Sequence, residues 1–106
     1  MQKQKVYKTY SDDGHGWLAV KIQELMELNI WHKISSYSYI RGKTAYIEED
    51  CDMTEFINAY RDKYGCDPTM KHVRVNGRSP IRSYESYNHN KAINILLTGK
   101  MLKGTK

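Results

Sequence analysis

Asp12-Asp13-Gly14-His15-Gly16 places two carboxylates and an imidazole on a glycine-rich turn, a combination able to approach a phosphate or a metal ion. The spacing matches no established zinc or calcium pattern. A tight loop explains the same residues: glycines supply unusual dihedrals, Asp12 or Asp13 caps the turn and His15 packs beside Trp17. No metal ligand, catalytic residue or cofactor is assigned on this basis, although a small enzyme with a site around Asp13 and His15 remains a third functional reading. The chain also lacks a Walker loop, a dinucleotide fingerprint, a nucleophile elbow and paired metal-ligand motifs, which favours a binding protein over an enzyme.

Glu48-Glu49-Asp50-Cys51-Asp52 leads into an expected helix, where the dipole and a capping box formed by Asp52 and Glu55 account for acidic residues. Glu48 and Asp50 also share one side of an extended strand, a surface for a cation or an arginine. Carboxylate neighbours raise the pKa of Cys51 and oppose a nucleophilic role.

The strongest binding signal is basic. Residues 1–70 hold nine Lys/Arg against eleven Asp/Glu, whereas residues 71–106 hold eight Lys/Arg against Glu85 alone. Arg74, Arg78 and Arg82, followed by Tyr84 and Tyr87, join charges that neutralise phosphate to rings that stack on bases. Tyr37 and Tyr39, on an expected hairpin, extend the candidate binding set. A solvated basic edge with buried tyrosines explains the same pattern.

These residues need a frame, and 106 residues suffice for one domain. An apolar fraction of 40% against 27% charged is the balance of a chain that folds alone. Strands are expected at Val6–Tyr10, Trp17–Val20, Ile34–Ile40, Thr44–Glu48 and His72–Val75. Helices are expected at Lys21–Leu28, at Met53–Tyr64 and from Asn90 to Leu102. On the first strand of the Ile34–Glu48 hairpin, Ser36 and Ser38 are expected opposite Tyr37 and Tyr39. The order predicts an α+β fold, one mostly antiparallel sheet with helices packed on one face: a core domain over 1–87 and a basic helical extension of it over 88–106. Cys51 and Cys66 flank the central helix, which separates them by roughly 20 Å and excludes a disulfide. No export signal and no membrane span is legible, so a cytoplasmic location in a bacterial host, with no membrane partner, is expected.

Gly14-His15-Gly16-Trp17-Leu18, Lys33–Tyr39, Tyr46–Asp52 and Ile81-Arg82-Ser83-Tyr84 together resemble a group of small uncharacterised proteins carried by bacteriophages, plasmids and other mobile elements. Asp13 departs from the proline often found there in the group, and 88–106 extends beyond the shared blocks. The resemblance implies a mobile-element accessory protein. The leading expectation is one that binds and inhibits or sequesters a host target, an anti-defence role such as anti-CRISPR-like inhibition or capture of a nucleotide signal. The alternative is a nucleic-acid-binding accessory protein working through residues 71–91. A host protein, a nucleotide or a nucleic acid is the expected partner, with an anionic target favoured.

Overall fold

The structure, a computed structural model, describes residues 5–104, with side chains as far as Thr98. Six strands form one sheet: β1 (Val6–Ser11), β2 (Gly16–Lys21), β3 (Tyr39–Arg41), β4 (Thr44–Glu48), β5 (Thr69–Arg74) and β6 (Glu85–Ser86). The helices are α1 (Ile22–Glu27), α2 (Met53–Tyr64) and α3 (His89–Gly104), with 3-10 turns at Trp31–Lys33 and Pro80–Ser83. The spatial order is β5-β1-β2-β4-β3-β6, antiparallel throughout except where β5 runs parallel to β1. The α+β class is as expected.

Alternation along the strands sorts side chains to two faces. Tyr7, Leu18, Val20, Ile40, Ala45 and Ile47 face inward and are buried with Phe56 and Tyr60 of α2, Leu25 of α1 and Ala92 of α3. All three helices therefore cover one face. Ile57 of α2 is half-buried against the same core, and Ile95 and Leu96 seat α3 on it. The described start of the 88–106 segment is thus part of the core layer. The last residues of the expected Asn90–Leu102 helix, beyond Thr98, lie outside the described side chains.

Helix ends follow local chemistry. Gly65 ends α2 with φ 74, its N–H bonded to the Arg61 carbonyl, the left-handed cap glycine adopts at little cost. Asn29 takes φ 58 just beyond α1, a left-handed conformation that asparagine tolerates.

One strand is shorter than expected. The Ile34–Ile40 segment pairs only over Tyr39–Arg41, because residues 35–38 turn back around the carboxylate of Asp52. Asp52 accepts the Ser35 N–H at 3.0 Å, the Ser35 hydroxyl at 2.7 Å and the Ser38 hydroxyl at 2.5 Å. Side-chain acceptors here outcompete a sheet ladder. Ser38 is fully buried, and its hydroxyl also accepts the Glu48 N–H at 2.8 Å. The capping box at Asp52 is corrected by the same contacts. Its carboxylate makes no cap bond to α2, being engaged by Ser35 and Ser38 instead.

Candidate nucleic-acid interface

Among the described residues, no helix covers the sheet's second face. Strand alternation assigns to it Lys8 and Tyr10 of β1, Trp17, Ala19 and Lys21 of β2, Tyr39 and Arg41 of β3, Thr44, Tyr46 and Glu48 of β4, and Lys71 and Val73 of β5. After β5 the chain crosses from one edge of the sheet to the other. Val75 N–H bonds Ser11 O, Ser79 N–H bonds the Asp12 carboxylate, the Arg82 guanidinium lies 5.6 Å over the Trp17 ring, and β6 then pairs with β3. This strap roofs Trp17, which is 2% exposed. It leaves the middle of the face open.

Asp12 anchors the strap. Its buried carboxylate accepts the Gly14 and His15 amides at 2.9 and 3.0 Å and receives a two-pronged contact from Arg82, Nε at 2.6 Å and Nη2 at 2.9 Å. The Arg82 hydrogen bonds, then the Ser79 amide, hold this carboxyl well below the ordinary range, and Asp12 in turn raises Arg82. A Cβ on Gly14 would lie 2.8 Å from Arg82 Nη2, so a larger residue there would displace the end of the guanidinium that Asp12 holds.

On the open part, Tyr10, Tyr46 and Tyr84 form a half-buried row, with ring centroids 6.3 Å apart for the first pair and 5.2 Å for the second. The Arg41 guanidinium sits 5.0 Å over the Tyr84 ring. Burial first, then Tyr84 and Tyr10, push the Tyr46 phenol up, so it stays neutral near physiological pH. Around the row lie Lys8, Lys21, Arg41 and Lys71, all exposed and none ion-paired among the described residues. Glu48 is the face's single carboxylate among the strand positions, and it is buried at one end.

The expected binding residues divide. Tyr84 belongs to the aromatic row, and Tyr39 stands beside it, edge-on to Trp17 at 6.3 Å. Arg82 is engaged by Asp12, and exposed Arg74 reaches Asp13 at 2.9 Å. Arg78 is exposed on the strap, and Tyr37 is exposed in the turn before β3 rather than on a strand. Tyr87 must be corrected: it is 2% exposed in the core, its hydroxyl donating to the Trp31 carbonyl, and burial raises it to about 12. A buried ring offers no stacking surface. Tyr10, Tyr46, Lys8, Lys21 and Arg41 lie on this face outside the expected binding set. Alternation from Tyr7 places Tyr10 on the opposite face, but only the sheet order reveals that this face is uncovered.

At the end of the face, His15 Nδ1 lies 3.4 Å from Glu48 Oε2, and donor atoms of His15, Glu48 and Asp50 all fall within 4.8 Å of one another. The His15 ring is 6.2 Å from that of Trp17, the packing expected of a loop histidine. Glu48 Oε1 accepts the Asp50 and Cys51 amides, both at 2.9 Å. The Cys51 thiol is raised, by desolvation first and then by Glu48, and Cys51 and Cys66 are free. The blocks that carry the resemblance thus meet in space: Gly14–Trp17 touches Arg82 and Glu48, and Ser35 and Ser38 hold Asp52.

Comparison with known proteins finds no matching family model, no matching curated protein and no matching solved structure.

Proposed function

We propose that the chain binds single-stranded nucleic acid on its open sheet face. The carrying observation is the row Tyr10–Tyr46–Tyr84 within a ring of four cations that, among the described residues, have no ion-pair partner and no exposed strand carboxylate on their face. Each component has a counterpart in a single strand. Exposed bases stack on aromatic side chains, while lysine and arginine neutralise the phosphates between them. A duplex hides its base faces and leaves the tyrosines without a partner. The expected mobile-element role fits this reading: strand capture is the molecular act by which an accessory protein would sequester a host target.

The region differs from the 71–91 segment expected from charge alone. Lys71 and Tyr84 are retained, and Lys8, Tyr10, Lys21, Arg41 and Tyr46 are added. Fluorescence anisotropy with labelled oligo-dT and oligo-U, against a duplex of equal length, tests the proposal. Single strands should bind more tightly than duplex, and Tyr84→Ala should cost about 1–3 kcal/mol, the scale of one base–aromatic stack. Equal binding of duplex and single strand, or folded Tyr84→Ala and Arg41→Ala proteins that bind like the parent, would refute it.

A further inference from the structure

We propose that His15, Glu48 and Asp50 form a binding site for a divalent transition cation such as Zn²⁺ or Mn²⁺. The donor set is one imidazole nitrogen and two carboxylate oxygens, all within 4.8 Å of one another. Ligand distances near 2.0–2.2 Å put neighbouring donors about 3 to 3.5 Å apart, so a small contraction closes the site. His15 and Asp50 are exposed and can move; Glu48 is fixed.

The buried carboxylate supplies the second observation. The Glu48 side chain is 8% exposed, and Oε1 is held by two backbone amides. Those bonds aim Oε2 toward His15, whose Nδ1 lies 3.4 Å away. No Lys or Arg pairs with Glu48, Glu49 or Asp50 among them either. With Oε1 held by the two amides, Oε2 is the oxygen left to a cation. Next to it, directly across the β2–β4 ladder from Glu48, Trp17 buries an indole N–H with no acceptor among the described residues. An oxygen carried at an open metal position is the kind of acceptor it lacks.

The donor chemistry selects the cation. Zn²⁺ and Mn²⁺ accept mixed imidazole and carboxylate ligands, whereas Mg²⁺ and Ca²⁺ favour all-oxygen shells. Three protein ligands on a half-exposed loop leave positions for water or a ligand oxygen.

The test uses the full chain without an affinity tag and without nucleic acid, so its outcome is independent of the strand-binding reading. Titration calorimetry with Zn²⁺ should show one saturable equivalent, weakened at least about tenfold in both His15→Ala and Asp50→Asn and unchanged in Cys51→Ser. Mn²⁺ should broaden the amide signals of residues 14–16 and 48–51 before all others. Absence of saturable binding, unchanged affinity in both folded variants, loss on Cys51→Ser, or broadening centred on another histidine would overturn the proposal.

Discussion

Two buried carboxylates illustrate how single residues set this fold. Asp12 and Asp52 each gather donors from segments far apart in sequence, the first tying the strap to the β1–β2 loop and the second tying residues 35–38 to the start of α2. Because Asp12 is depressed in the folded state, its stabilisation is present above its unfolded pKa near 4 and is lost as pH falls below that value. Thermal melts from pH 7 to pH 3 should show Asp12→Asn melting below the parent at pH 7 and losing less of its melting temperature on acidification. Parallel curves would remove Asp12 from the acid response. Ser38→Ala strips a donor from Asp52 and an acceptor from the Glu48 amide, both in the interior, and should cost about 1–3 kcal/mol by urea denaturation. A sequence shows four carboxylates near residue 50. It does not show which two are enclosed.

Among the elements, α2 was the most legible, since Met53, Phe56, Ile57 and Tyr60 recur at helical spacing and Gly65 marks its end. Phe56 is fully buried and meets Tyr7 edge-on at 5.2 Å and Tyr60 at 5.8 Å. Phe56→Ala should therefore lower unfolding free energy by about 3–5 kcal/mol in denaturant titration, whereas Ile57→Ala, at the half-buried rim, should cost less. The segment before β3 was less legible because alternating Ser and Tyr residues satisfy a strand pattern, while the acceptor that bends them, Asp52, lies 14 residues beyond Ser38. A local window cannot contain that competitor. For the strap the difficulty is similar: Ser79-Pro80 reads as a turn, but its path over Trp17 follows from Asp12, 70 residues before Arg82.

For the whole molecule, the sheet has one helix-covered face and one largely open face, and the charge on the open face is predominantly positive. If Lys8, Lys21, Arg41 and Lys71 each neutralise a phosphate, the logarithm of the binding constant for a single strand should fall with the logarithm of salt with a slope of about −3, and Arg41→Ala should reduce that slope by about 0.7. Anisotropy titrations from low to moderate salt measure both quantities, and a slope near zero would mean that phosphate contacts do not drive association. Among the described residues no helix is long and apolar enough to cross a membrane.

Taken alone, the sequence determined the α+β class, most strands and helices, and the enrichment of cations in the last third of the chain. Those properties depend on local periodicity, capping and composition, which a linear string retains. Tertiary structure decided which tyrosines meet and which cations stay unpaired. Tyr87 enters the core and Tyr10 the open face, although both lie in tyrosine-rich segments, because burial depends on which side of a paired strand or connecting segment meets the helices. Arg82 is engaged by Asp12 while Arg41 has no carboxylate partner among the described residues, an outcome set by the strap's crossing from β5 to β6. The approach of His15 to Glu48 and Asp50 is of the same kind: sheet pairing brings the end of β4 beside the start of β2, although 32 residues separate His15 from Glu48 along the chain.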